Sequence, residues 1–319
     1  MARRTSKRRA FAFVAVILGL AAVAVAYEVL VQYTQKGLLA DATRRYVEAA
    51  RDAEYLIAVV GDSHAKGMEA PPGFDYPTQL ELRLQLLRPK SKIRVANIAD
   101  AGFNTSQAVD RLHRVVQRAG RDPDLVIFNA GFNNIWNFQK AWFIPEDIQG
   151  RKLEAQLRFL LTQSANYRLG VITVKRMRQL IDRDQTYRGH HTAVLNADDP
   201  NELAFLSSWI KRDIESLADN LAARKTRLVV VSYWNDCRWL DEVLPELGRG
   251  ENVFVADVHG LGFDHMSTAD FERSLVAPGS HPNKYGYARI AELLAGFLDD
   301  AGLLPAKKPA AQHAATAVR

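Results

Sequence analysis

The chain has 319 residues, 48% of them hydrophobic and 24% charged, enough apolar material to bury a full core in one large domain or two small ones and too much for a disordered chain. A single cysteine, Cys237, excludes an intramolecular disulfide framework and any zinc site built from several cysteines, and reads as a packing residue. The net charge of +6 sits at the ends: of the 42 Lys and Arg, Arg3, Arg4, Lys7, Arg8 and Arg9 lie before the first apolar run and Lys307, Lys308 and Arg319 at the C-terminus, so the body holds 34 against 36 acidic residues. A near-neutral body argues against a surface that tracks nucleic-acid phosphates.

Behind the basic cluster, Phe11 to Tyr27 carry no charge, then come Glu28 and a second apolar patch, Val29-Leu30-Val31. Positive residues ahead of an apolar run stay on the cytoplasmic side, so the rest of the chain is expected to be exported, from an inner (cytoplasmic) membrane into the periplasm. A signal anchor over 11–33, single-pass, is the favoured reading. The competing one is a cleaved signal peptide, with Ala24-Val25-Ala26 as the small-x-small pattern and Tyr27 as the new N-terminus. Residues 34–54 show Leu38, Leu39, Ala42, Tyr46 and Ala49 at helical spacing and predict an amphipathic linker helix.

A body over 55–303 follows. Leu56-Ile57-Ala58-Val59-Val60 reads as a buried parallel strand that ends at Gly61-Asp62-Ser63-His64. Pro77 suits the first turn of a helix with Leu80, Leu84 and Leu87 inward. A second strand, Ile93–Ile98, ends at Asp100-Ala101-Gly102-Phe103-Asn104-Thr105, where Asn104 or Thr105 can cap a helix striped by Val109, Leu112, Val115 and Val116. A third strand, Leu125–Phe128, runs into Asn129-Ala130-Gly131-Phe132-Asn133-Asn134. Strands alternating with helices imply a parallel sheet, and three polar turns then converge on its carboxyl edge, where ligands bind in such sheets. They offer a serine, a glycine whose N–H can approach a substrate, and an asparagine amide, the groups that acyl transfer needs.

Residues 138–226 carry no strong motif. Trp136, Trp142 and Phe143 read as core aromatics or as a cleft lining. His190, His191, Asp198 and Asp199 fall in an exposed loop without a complete metal-ligand set, and no metal or other cofactor is expected. A helix over 202–223, a strand over Arg227–Tyr233 and a short fifth strand, Val253–Val255, come next. Pro278-Gly279-Ser280-His281-Pro282-Asn283 precedes a final helix over 288–298. That places His281 at the same sheet edge as Ser63, where it can serve as general base. The tail, 304–319, has a disordered composition.

With these segments in order, the chain resembles the SGNH (GDSL-type) hydrolases over about residues 55–303. Gly61-Asp62-Ser63 is similar to that family's first block, Gly102 to its second, Gly131-Phe132-Asn133-Asn134 to its third and His281-Pro282-Asn283 to its last. The resemblance implies a three-layer αβα sandwich on a mostly parallel, about five-stranded, flavodoxin-like sheet. It also implies Ser63 as nucleophile, His281 as base, and the Ser63 and Gly102 N–H groups with the Asn133 side chain as oxyanion hole. Two positions depart from the pattern: Asn134 stands where aspartate is usual, and Pro278 where an aspartate normally orients the histidine. A backbone carbonyl or an acid of the preceding segment, Asp264 or Asp270, is the expected substitute. The expected activity is an extracytoplasmic serine esterase acting on small acyl groups, of an acylated small molecule or an envelope or exported polysaccharide. An acyltransferase with the same site and a non-catalytic glycan- or partner-binding domain are the alternatives.

Overall fold

The computed structural model describes residues 2–135, 200–235, 237–248, 252–259, 275–277 and 281–306, and a few positions between 164 and 173. Residues 1–41 with 138–194 form one compact unit and residues 42–137 with 195–319 another.

In the first unit, helix α1 (Ala2–Asp52) begins and carries the apolar run. It is long and apolar enough to cross a membrane, with a mean hydropathy of 2.5 over its best 18-residue window and none of that window buried. Such a helix at the N-terminus is a candidate membrane anchor or signal sequence. The Glu28 carboxylate, on the same helix, accepts hydrogen bonds from the Ser164 hydroxyl at 3.0 Å and the Asn166 amide at 3.2 Å.

The second unit is built on five strands: β1 (Tyr55–Gly61), β2 (Ile93–Asn97), β3 (Leu125–Asn129), β4 (Arg227–Val231) and β5 (Val253–Ala256). Their order is β2-β1-β3-β4-β5 and every pairing is parallel. All residues of β1 and β3 are buried, as continuous apolar runs in the middle of a two-faced sheet must be. Alternate side chains leave on opposite faces. Ile57, Val59, Leu125, Ile127, Val229 and Val231 meet Leu80 and Leu84 of α3 (Tyr76–Leu87) and Ile290, Leu294 and Leu298 of α8 (Lys284–Asp300). The other face is covered by α4 (Thr105–Ala119) and α5 (Pro200–Ala223), which pack on β1, β4 and each other. Each fully buried Leu or Ile contributes roughly 2 kcal/mol. The result is the expected αβα sandwich, with three short helices, α2 (Ser63–Lys66), α6 (Arg238–Asp241) and α7 (Leu244–Leu247), in its loops.

The last turns of α1 belong to this second unit. Ala42, Tyr46, Ala49 and Ala50 are buried, and the Tyr46 hydroxyl donates to the Arg121 carbonyl at 2.9 Å. The Arg121 guanidinium donates to the carbonyls of Ala50 and Ala53, neutralising the helix's C-terminal end.

In a sheet of this order the crossovers leave β1 and β3 in opposite directions, which opens a crevice between their carboxyl ends. The polar turns after β1 and β3 flank that crevice.

Candidate active site

Gly61 ends β1 beside β3 so closely that a Cβ there would lie 2.0 Å from the Asn129 carbonyl oxygen. Only glycine fits, and the chain can turn at once into α2. Asp62, fully buried, caps that short helix by accepting from the His64 N–H at 2.9 Å. Ser63 follows at the first helical position, and its Oγ lies 2.9 Å from Nε2 of His281. The histidine comes from the far end of the chain. A one-pair antiparallel bridge between Val276 and Pro282 holds it, with the Ala277 N–H donating to the His281 carbonyl at 2.7 Å. Asn283 then caps α8 by accepting from the N–H groups of Tyr285 and Gly286.

Three loops are tied together around this pair. Asp62 Oδ2 accepts from the Tyr233 hydroxyl at 2.5 Å and from the Asn133 side-chain amide at 3.3 Å, which sets Asn133 against the nucleophile turn. The Tyr233 hydroxyl in turn accepts from the Phe132 N–H at 3.0 Å. The Gly102 loop is joined to β1 by the Asp100 N–H, which donates to the Gly61 carbonyl, and Asp100 pairs with Lys66 at 2.7 Å and Arg111 at 3.1 Å. Gly102 adopts φ +77°, a left-handed conformation that suits glycine, and no atom lies within 4 Å of where a Cβ would point. Its turn therefore offers a substrate backbone rather than bulk. Asn134, the departure in the third block, is buried: its Oδ1 accepts from the Thr105 N–H at 3.0 Å while its amide donates to the Thr105 hydroxyl at 2.9 Å. That hydroxyl donates to Asp213 at 2.5 Å, so the asparagine serves as a donor and acceptor in a place where a carboxylate could only accept.

Burial pushes the His281 imidazole below its ordinary pKa of 6.5, and the neighbouring His64 pushes the same way; Glu69 and Asp62 oppose them. At neutral pH the ring is thus unprotonated and able to take a proton from Ser63. Its other nitrogen, Nδ1, lies 3.4 Å from Glu69 Oε2, a long contact for a hydrogen bond, and the same oxygen accepts from the His281 N–H at 3.2 Å. Burial and Asp62 raise the Tyr233 phenol well above its usual range, so it remains a donor. The buried His64 ring stands 4.9 Å from those of His281 and Tyr233 and 5.8 Å from Phe132, centroid to centroid.

Of the residues expected from sequence, Ser63 and His281 meet directly, and Asn133 and Gly102 stand in the loops joined to the nucleophile turn. Pro278, Asp264 and Asp270 lie outside the described residues, as do Trp136, Trp142, Phe143 and the His190–Asp199 stretch. Glu69, Asp62, His64 and Tyr233 were not singled out for roles. The position of Asp62 between a strand end and a helix start is the one sequence signal that pointed to a buried cap; nothing comparable marks Glu69 or Tyr233. Among the described residues no cluster of three His, Cys, Asp or Glu could hold a metal ion.

The profile of the GDSL-like lipase/acylhydrolase family matches residues 59–289. The chain belongs to that family, and the family match supports a hydrolase. No curated protein sequence matches it. Among solved structures it is similar to a lipase from a goat rumen metagenome, at 13% identity over 76% of this chain and 98% of that one, with a TM-score of 0.48. It is also similar to a catalytic mutant of an acetylxylan esterase from Geobacillus stearothermophilus, at 15% identity over 78% and 95%, with a TM-score of 0.45. A two-domain esterase active on acetylated mannans matches at 13% identity over 87% of this chain and 55% of its own, with a TM-score of 0.45.

Proposed function

We propose that the chain is an extracytoplasmic serine esterase, held at the inner membrane by its N-terminal helix, that removes small acyl groups through a covalent acyl-enzyme. The observation that carries this reading is the 2.9 Å approach of His281 Nε2 to Ser63 Oγ at the sheet's carboxyl edge. His281 takes the hydroxyl proton as Oγ attacks the ester carbonyl. The Ser63 and Gly102 N–H groups and the Asn133 amide stabilise the oxyanion. The proton then passes from His281 to the leaving alcohol, and a water molecule, deprotonated by the same ring, releases the acid. The acyl group proposed is short, such as acetyl. An acetylated cell-envelope or exported polysaccharide is the proposed substrate class.

The test uses the full chain in detergent. A fluorophosphonate probe should label it at Ser63, Ser63→Ala should abolish the labelling, and p-nitrophenyl acetate should be cleaved faster than the octanoate. Folded protein that takes no label would sink the enzyme reading, and faster octanoate cleavage the short-acyl one.

A further inference from the structure

We propose that Glu69 is the positioning acid of this site, holding the His281 ring from the loop behind the nucleophile in place of the family's aspartate, whose position Pro278 occupies. The inference rests on the Ser63–His281 reading and extends it.

Three independent features lead to Glu69. The first is geometry: one carboxylate oxygen accepts from the His281 backbone N–H at 3.2 Å and lies 3.4 Å from Nδ1, which is buried without a hydrogen-bond partner of its own among the described residues, while Nε2 faces Ser63, so a small shift of the ring brings Nδ1–H onto the carboxylate. The second is anchoring. The Met68 N–H donates to the Ser63 carbonyl at 3.0 Å, the Met68 carbonyl accepts from the buried Tyr287 hydroxyl at 3.0 Å, and the Ala70 N–H donates to the Gly67 carbonyl. Glu69 is thereby fixed between α2 and α8. The third is backbone conformation: Glu69 has φ +66°, one of two non-glycine residues with positive φ among the described residues. A glutamate resists that conformation, and such outliers persist where the surroundings over-determine them, typically at functional sites.

In the reaction, the Ser63 Oγ–H bond breaks as Oγ bonds the acyl carbon, and the proton moves to His281 Nε2. The Nδ1 proton stays on the ring. The Glu69 carboxylate accepts from Nδ1–H as the ring becomes an imidazolium and balances its charge until Nε2 returns its proton to the leaving oxygen. Besides Glu69, the titratable groups acting on His281 are His64 and Asp62.

The experiment compares the full chain with Glu69→Gln and Glu69→Gly, reading p-nitrophenyl acetate turnover and fluorophosphonate labelling rate against pH, with thermal melting as the control for folding. Glu69→Gln should lower turnover by about 10²-fold or more and shift the acidic limb to lower pH, because it removes a carboxylate that holds the His281 pKa up. Glu69→Gly, suited to the positive φ, should keep the fold and lose turnover to a similar degree. Folded variants within about threefold of the wild type, or an acidic limb that does not move, would overturn the role of Glu69 alone. A wild-type chain that neither labels nor turns over would overturn the Ser63–His281 reading and this inference with it.

Discussion

Asp62 carries no reacting atom, yet the nucleophile turn, the Asn133 loop and Tyr233 all meet at its carboxylate, which is fully buried. A buried carboxylate with three donors is a satisfied one, and its satisfaction is what fixes the loops. His281 shows the converse, a ring kept from charging. Its folded pKa lies below the 6.5 of an exposed histidine, so the unfolded chain binds this proton first and acidification through 6.5 favours unfolding, an effect that vanishes above that pH. On the proposed mechanism the neutral ring is the active form, and it too persists below 6.5. We therefore predict that the acidic limb of kcat/KM for p-nitrophenyl acetate falls below pH 6.5, and a limb above it would mean that Glu69 and Asp62 outweigh burial. At this scale the sequence was legible where a polar turn follows a strand end: Ser63, Gly102 and Asn133 each follow a run that announces itself. Glu69 follows no run. Its backbone is irregular, and its partner is 212 residues away, a pairing that no local pattern encodes. Asp264 and Asp270, the candidates near His281 in sequence, lie outside the described residues.

The strands were legible because central parallel strands are apolar at every position, a signal independent of period. Each expected strand occurs within two residues of its expected ends. Helix ends were harder. The final helix starts at Lys284 rather than 288, because Asn283 caps it through Tyr285 and Gly286, and a Tyr-Gly-Tyr stretch reads as loop when no cap is considered. The four-residue helices α6 and α7 are too short to show a period at all. Between elements, the tightest constraint is where β1 passes β3. Gly61→Ala would force a Cβ to 2.0 Å from the Asn129 carbonyl oxygen and 2.8 Å from the Ala65 Cβ, and neither backbone nor helix can yield cheaply. We predict a loss of about 3 kcal/mol in urea unfolding of the full chain, together with lost turnover as the Ser63 turn shifts. A loss under about 1 kcal/mol would show that β1 can slide away from β3.

Across the whole molecule, five of the eight terminal basic residues and the apolar helix lie at the N-terminus, ahead of the sheet unit in sequence. Membrane attachment through buried apolar surface is insensitive to salt, whereas attachment through the basic residues is screened. The full chain should accordingly stay with membranes through a high-salt wash. Release by salt would assign the attachment to charge, and a soluble species beginning at Tyr27 would show that the helix is a cleaved signal. The sheet unit also closes on itself. Tyr55, at the start of β1, donates its hydroxyl to the Leu303 carbonyl at 2.6 Å, Arg88 after α3 pairs with Asp299 of α8, and α3 packs along α8. Ser63 and His281 belong to those two ends, 218 residues apart. Ribosomes deliver a protein from its first residue onward, so the serine leaves the exit tunnel long before the histidine that would activate it. On the proposed mechanism the growing polypeptide therefore exposes only an ordinary alcohol, and Ser63 gains its base when the final helix docks.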